Sequence, residues 1–173
     1  MTTLSQAQNQ DPWVEYMTPT EIHNMFSQYT GNFTMEMTVG IGSSQPTIFT
    51  MDSSHQMLLG GRFLEMKQQG DIMGMDYQSI TTLDFNTTDK QMALTTITNM
   101  GTGTLSMFGE WDEKTKSATL YGKLTNPVTK NTIKVKQIIS FPDKDTILIE
   151  SFDQEGDKPE VKTVQYKFIR KQL

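Results

Sequence analysis

Residues 33–41, Phe-Thr-Met-Glu-Met-Thr-Val-Gly-Ile, carry an apolar side chain at every second position. This alternation is typical of a β-strand with one buried and one solvated face, because successive side chains point to opposite faces of a sheet. The same period recurs along the rest of the chain. Its clear runs are 104–111, 118–124, 133–141 and 163–168, and its weaker runs are 47–52, 56–59, 62–68, 79–85, 91–98 and 146–152. The sequence therefore predicts an all-β fold.

Short polar segments separate these runs, and they have the composition of turns. They are residues 86–90, 112–116, 126–131, 142–145 and 153–159. None is long enough for the helical crossover that parallel neighbours need, so we expect antiparallel pairing in chain order. About 8–10 strands in this order predict a closed or nearly closed antiparallel up-and-down barrel, with a β-sandwich as the alternative.

One N-terminal α-helix is predicted before the strands. Thr18-Pro19-Thr20-Glu21 has the residues of a helix start, because Thr18 can cap it and Pro19 suits the first helical position. Apolar side chains then follow at the spacing of one helical face, at Ile22, Met25, Phe26 and Tyr29. We expect about three helical turns, with this face packed on the sheet.

The domain organisation is simple. Residues 1–12 are polar and aperiodic and are predicted to be a flexible leader, and residues 13–173 are predicted to form one β-barrel domain. Ser5 and Ala7 have the small-residue spacing of a signal-peptide cleavage site, so the leader is interpreted either as a signal-peptide remnant or as a cytoplasmic tail. The compartment stays open between exported and cytoplasmic.

Composition excludes several classes of function. The 173 residues contain no cysteine, so thiolate metal sites, disulfides and cysteine nucleophiles are ruled out. A net charge of -5 argues against binding to nucleic acid, and no apolar stretch is long enough for a transmembrane segment. The 25 threonines favour strands, while the 13 methionines call for an explanation of their own.

A series of short motifs occurs in a fixed order along the chain. Most contain glycine or an aromatic residue, and one contains Asn-Pro. These motifs are Gly60-Gly61-Arg62-Phe63, 70–75, Asn99-Met100-Gly101-Thr102-Gly103, Gly109-Glu110-Trp111-Asp112, 126–129 and 166–170. In order and spacing, from about Trp13 to the C-terminus, they resemble the bacterial family known as domain of unknown function 1579. The resemblance implies a calycin-type barrel, similar to lipocalins and fatty-acid-binding proteins, and it brings no catalytic residues.

The chain departs from the family pattern at three places: 84–87, 96–98 and Asn126-Pro127. Several positions that are acidic or hydroxyl-bearing in the family are neutral or smaller here. If those positions form a working site in relatives, this protein binds something else or nothing.

No catalytic set is recognisable. His23 is expected on the solvated side of the helix, and Asp52-Ser53-Ser54-His55 is interpreted as a polar turn, because a working triad converges from separate elements. The carboxylate pairs Asp71 with Asp76 and Asp84 with Glu110 are interpreted as solvated strand-end charges. The sequence therefore favours a protein that is not an enzyme and has no cofactor, with an unrecognised hydrolase left open.

The methionines suggest binding. Met35 with Met37, and Met73 with Met75, are two residues apart and are expected to share a strand face. Such pairs could coordinate Cu(I), although packing is preferred because no histidine or cysteine accompanies them. Arg62 is expected to share the face of Leu64 and to need an anionic partner, either a ligand carboxylate or an internal acid. The predicted lumen residues are Met35, Met37, Arg62, Leu64, Met73, Met75, Met107 and Trp111.

Two functional hypotheses follow from the sequence. The first is a non-catalytic barrel that binds a small apolar or amphiphilic ligand in its lumen, against an adaptable methionine wall. The second is a structural or interaction protein whose barrel is filled by its own side chains. No metal site and no nucleic-acid partner are predicted, and the oligomeric state stays open.

Overall fold

The structure, a computed structural model, describes residues 11–172. Two short helices precede ten strands. The helices are α1 Pro12–Met17 and α2 Glu21–Ser27. The strands are β1 Gly31–Val39, β2 Thr47–Leu58, β3 Phe63–Ile72, β4 Met75–Phe85, β5 Gln91–Thr98, β6 Leu105–Asp112, β7 Ser117–Thr125, β8 Thr132–Asp143, β9 Thr146–Glu155 and β10 Val161–Arg170.

The strands form a closed antiparallel barrel. Each strand pairs with its neighbours in the chain, and β1 also pairs with β10, from Phe33 opposite Arg170 to Val39 opposite Val164. The predicted up-and-down barrel is confirmed, and its ten strands are the largest number in the predicted range of 8–10. Closure satisfies the hydrogen-bonding groups of every strand edge, so no long edge is left to pair with another chain.

The two ends of the barrel differ. We call the end where β1 begins the closed end, because α2 and the turn after it lie across it, and the other the open end. The rings of Phe26 and Tyr29 pack against Phe141 at centroid distances of 6.1 and 4.9 Å. His23 of α2 packs on Phe85 at 6.2 Å. Aromatic side chains therefore plug the closed end.

One hydrophobic cluster fills most of the lumen, and it is built from the inward positions of the alternating strands. Methionine is prominent in it, because a flexible thioether side chain fills irregular gaps. The buried methionines are Met35, Met37, Met51, Met66, Met92 and Met107. Three of them, Met35, Met37 and Met107, are among the methionines predicted to line the lumen.

The helical region differs in detail from the prediction. Helix α2 has two turns rather than three, and its N-cap is Thr20, not Thr18. The third residue of the helix, His23, accepts a hydrogen bond from the Thr20 backbone N–H, the position that glutamate usually fills in a capping box. The additional helix α1 starts at Pro12, capped by Asp11, whose side chain accepts from the Trp13 N–H.

Strand β2 corrects a second expectation. The segment 53–55, predicted as a turn between two strands, lies inside one continuous strand. Ser53 and His55 are buried, and Asp52, Ser54 and Gln56 are exposed. The period of two therefore continues through the segment, with polar rather than apolar residues in the inward positions.

Most of the predicted leader, including Ser5 and Ala7, lies outside the described residues. Within residues 11–172, neither helix has the length or the apolar character needed to cross a membrane.

Candidate functional site

A small cavity lies in the lumen, in the half of the barrel nearer the open end. Its volume is about 70 Å³. One part of its wall is apolar and comes from Met35, Leu94, Leu105, Ile149 and Phe168. The other part is polar and comes from Gln68, Tyr77, Ser79, Thr81, Thr96, Gln137 and Tyr166. The cavity is thus lined by a mixture of apolar and polar side chains, as a site for an amphiphilic molecule would be.

A chain of buried hydrogen bonds leads from the closed end to this cavity. His55 Nδ1 lies 3.0 Å from the carbonyl oxygen of Tyr29, and His55 Nε2 lies 2.8 Å from Ser53 Oγ. Gln68 Nε2 is 3.2 Å from Ser53 Oγ, and Gln68 Oε1 is 2.6 Å from Ser79 Oγ. The inward faces of β2, β3 and β4 are thus connected by polar side chains.

The donor and acceptor of every bond in this hydrogen-bond series follow from the Tyr29 carbonyl, where the series begins. The Tyr29 carbonyl can only accept, so His55 carries its proton on Nδ1 and accepts on Nε2. Ser53 must then donate to His55, and Gln68 must donate to Ser53 through its amide nitrogen. The Gln68 carbonyl accepts from Ser79. The Ser79 hydroxyl proton is therefore committed, and its lone pairs remain available at the cavity.

His55 is held in the neutral form that this chain requires. Burial, together with the nearby charge of Arg170 and opposed by the bond to the Tyr29 carbonyl, lowers the pKa of His55 to about 4. The imidazole stacks on Phe33 at 4.2 Å and meets the edge of Phe168 at 5.5 Å. An ionised imidazole would lose its role as acceptor for Ser53, so protonation would disrupt the chain.

Gln137 provides the unpaired polar atom at the cavity. The residue is 6% exposed and lies on β8 between the inward-facing Val135 and Ile139. Its Nε2 donates to Ser151 Oγ at 3.4 Å, while its Oε1 is buried without a hydrogen-bond partner. A buried amide oxygen without a partner is unfavourable by about 1–3 kcal/mol, which the packing around Gln137 has to offset.

Two tyrosines and a carboxylate mark the side of the cavity towards the open end. Burial, with Tyr77 and Asp153 nearby, raises the pKa of Tyr166. Asp153 continues the inward row of β9 two residues beyond Ser151. Burial raises the pKa of Asp153, and a hydrogen bond from Thr163 partly offsets this. Asp153 lines a separate groove at the rim with Glu155 and Lys158, and among residues 11–172 no lysine or arginine lines the cavity.

The chain is similar to known proteins in both sequence and fold. Residues 18–170 match the family model described as Protein of unknown function (DUF1579). The chain belongs to the DUF1579 family. Comparison with curated proteins gives no match.

Among solved structures, the chain is similar to the crystal structure of Rv2717c from M. tuberculosis. The TM-score is 0.60 and the sequence identity is 13%, and the superposition covers 90% of this chain and 100% of that one. At this identity the likeness concerns the fold alone, and it agrees with the barrel described above.

Five of the predicted lumen residues lie inside this DUF1579 barrel. Met35 lines the cavity, and Met37, Leu64 and Met107 are buried in the surrounding core. Trp111 is partly buried near the closed end, where its ring meets Phe141 at 5.9 Å. Whether any of them contacts a ligand stays a prediction.

The expected inward positions of Met73 and Met75 are wrong. Their exposures are 76% and 49%, because Met73 lies in the β3–β4 hairpin turn and Met75 begins the next strand. Met73 adopts a positive φ of 55°, which a turn requires and a strand does not. The two side chains stand at the rim of the open end and do not reach the lumen wall.

The expected inward position of Arg62 is also wrong. Arg62 precedes β3 in a turn, so the alternation of that strand does not extend to it. Its guanidinium donates to the carbonyl of Leu59 at 2.9 Å and bonds the carbonyl of Met17. Arg62 therefore ties α1 to the outside of the closed end. The arginine with an acidic partner near the lumen is Arg170, whose Nε lies 2.8 Å from Asp145.

The carboxylate pairs and histidines considered in the sequence analysis do not converge in the lumen. Asp71 and Asp76 face each other across the exposed end of the β3–β4 hairpin. Asp84 and Glu110 lie on the outer face of strands separated by β5. His23, expected in solvent, is instead buried, and burial lowers its pKa. Within residues 11–172, no three His, Asp or Glu side chains are grouped closely enough to hold a metal ion.

The residues that sequence reasoning missed are Gln68, Ser79 and Gln137. The sequence contains a signal for them, because each stands at an inward position in the two-residue alternation of its strand. Gln68, for example, follows Leu64 and Met66 at intervals of two. A polar residue in the buried phase of a barrel strand needs an internal partner or a ligand.

Proposed function

We propose that this protein is a non-catalytic binding barrel that holds a small amphiphilic molecule in the open half of its lumen. The observation that carries the proposal is a lumen cavity lined by both apolar and polar side chains, with Gln68 and Ser79 at inward strand positions. A polar group of the ligand would bond Ser79 Oγ, whose lone pairs remain available. Its apolar part would lie against Met35, Leu105 and Phe168.

The methionines explain how a longer ligand would be accommodated. A volume of about 70 Å³ holds a head group of a few heavy atoms, whereas sites for larger molecules span roughly 300–1,000 Å³. Met35 in the cavity wall and Met37, one inward position nearer the open end, have flexible side chains that can move aside for an alkyl tail. Entry would be from the open end, since aromatic side chains plug the other.

The same small volume favours a second candidate, a structural or interaction protein with a filled barrel. In that case the cavity holds only ordered water. The two candidates differ in whether a ligand can compete for that space.

A matched pair of variants separates these candidates. Thr96→Met fills the cavity from β5, whereas Thr95→Met places the same side chain on the outer face of that strand. Native mass spectrometry of gently purified protein and displacement of a fluorescent lipid probe measure occupancy. We expect bound mass or probe in the wild type and Thr95→Met, and none in Thr96→Met. An empty wild-type barrel that takes up no probe would establish the filled-barrel alternative.

A further inference from the structure

Four polar side chains of the cavity form one continuous patch on three neighbouring strands. Gln68 of β3 lies opposite Ser79 of β4, and Thr81, the next inward residue of β4, lies opposite Thr96 of β5. Both pairs are hydrogen-bonded, with 2.6 Å between Ser79 Oγ and Gln68 Oε1 and 3.0 Å between the two threonine hydroxyl oxygens. All four residues line the cavity. Strand register and direct contacts therefore hold these groups side by side.

The two pairs leave different hydrogen-bonding groups free. Ser79 donates its only hydroxyl proton to Gln68, so its oxygen can only accept a further hydrogen bond. The bond between Thr81 and Thr96 uses one of the two threonine protons, so this pair can still donate the other. The patch thus combines an acceptor and a donor at successive inward positions of β4.

The cavity offers no charge to a ligand. Among residues 11–172, every side chain that lines it is uncharged at neutral pH, and burial raises the pKa of Tyr166, which keeps that hydroxyl neutral as well. The nearby Asp153 lines the rim groove with Lys158 and not the cavity. An ion moved from water to this wall would lose its hydration without gaining a counter-charge, which is strongly unfavourable.

We infer that the cavity recognises an uncharged, hydroxyl-bearing head group in preference to a carboxylate or an ammonium group, an inference that rests on the proposed binding function. A hydroxyl both donates and accepts, so it can donate to Ser79 Oγ and accept from the threonine pair. A carboxylate can only accept, so it would face the lone pairs of Ser79. Both ionic head groups would also carry the cost of desolvation.

Ligands of matched chain length test the inference at pH 7. NMR chemical-shift titration of the full chain compares 1-octanol with octanoate and with octylammonium, and we expect the alcohol to bind at least about tenfold more tightly than either ion. Heptyl methyl ether is an isomer of 1-octanol that accepts but cannot donate. A purely apolar cavity would bind the two isomers equally, whereas loss of the bond to Ser79 should weaken the ether by about fivefold to tenfold.

A matched pair of double variants identifies the threonines. Thr81→Val with Thr96→Val removes both hydroxyls at nearly constant side-chain shape, and we expect it to weaken 1-octanol binding about tenfold. The control is Thr82→Val with Thr95→Val, which makes the same change at two residues that lie opposite each other on the outer face of the same strands. This control should leave binding unchanged. Urea unfolding of both double variants establishes that they fold.

The outcomes distinguish the inference from the proposed function. Octanoate or octylammonium binding as tightly as 1-octanol would overturn the preference for an uncharged head group while supporting a binding barrel. Equal binding of the ether would overturn the role of Ser79. Wild-type affinity for 1-octanol in the inward double variant would place the ligand away from the threonines and also overturn the inference. If none of the four ligands binds, the proposed binding function itself fails.

Discussion

His55 occupies a strand position where the surrounding pattern requires an apolar side chain. Its two ring nitrogens are satisfied by Tyr29 and Ser53, and its ring packs between Phe33 and Phe168 like an aromatic core residue. The same histidine would be an uncompensated buried charge if protonated. One side chain thus links the plug at the closed end to the polar wall of the cavity, and its neutrality holds both in place.

Stability should consequently fall at acidic pH through His55. Its pKa is about 4 in the folded state against 6.5 for an unperturbed histidine, so below pH 6.5 the unfolded chain binds the proton first. The free energy of unfolding should decrease as the pH falls from 6.5 towards 4, by up to about 3 kcal/mol. Urea unfolding across this range measures it. In His55→Gln the dependence should be shallower, and equal slopes in both proteins would contradict the assignment.

Gly109 shows how closely two strands of the barrel approach each other. A Cβ atom at this position would lie 1.9 Å from the backbone oxygen of Thr119 on β7. The backbone cannot move as a flexible side chain would, so we expect Gly109→Ala to lower the free energy of unfolding by about 2–3 kcal/mol. Gly101→Ala, in an open loop with nothing within 4 Å, is the control and should change it by less than about 0.5 kcal/mol. Equal effects would contradict the close approach.

At the scale of elements, helix α2 depends on contacts with the barrel, because a helix of seven residues is too short to be stable alone. Phe26 and Tyr29 supply the apolar contacts, and Arg170 supplies the polar ones. The Arg170 guanidinium donates to the Thr30 carbonyl at 2.7 Å, bonds the Gln28 carbonyl, and pairs with Asp145. It also stacks over Phe33 at 4.6 Å.

Replacing Arg170 should loosen this plug. We expect Arg170→Met to lower the free energy of unfolding by about 2 kcal/mol, because several backbone carbonyls lose a charged donor. Lys171→Met, at the next residue, removes only an exposed ion pair with Asp52 and should have an effect below about 1 kcal/mol. Denaturant unfolding compares the two variants, and similar losses would show that the guanidinium does not hold α2.

The elements themselves are largely predictable from sequence, and the errors are of two opposite kinds. Strands such as β5 were located within a residue, since hydrophobic alternation and turn composition agree there. Ser53 and His55 are polar residues at inward positions, so the alternation of apolar and polar side chains is interrupted there. A prediction based on hydrophobicity therefore assigns a turn to what is a continuous strand. At Arg62 and Met73 the opposite error occurs, because a strand pattern was extended into a turn.

At the scale of the whole molecule, the barrel could be predicted and its contents could not. Closure follows from local signals, the period of two and the short turns. The cavity depends on which side chains from distant strands meet, such as Gln68 of β3 and Gln137 of β8, and spacing along the chain does not contain that information. The tautomer of His55 likewise depends on the Tyr29 carbonyl, 26 residues away.

The difference between the two halves of the barrel predicts where it opens. The closed half is packed with aromatic side chains, whereas the open half surrounds a cavity whose walls lose dispersion contacts. Local opening should therefore cost less there. Native-state hydrogen exchange along β5 measures this: amides from Thr95 to Thr98 should exchange about tenfold or more faster than those from Gln91 to Ala93, since tenfold corresponds to only about 1.4 kcal/mol. A bound ligand should slow the first group and leave the second unchanged. Uniform exchange along the strand would mean that the lumen is packed alike throughout, which would also remove the physical basis for entry from the open end.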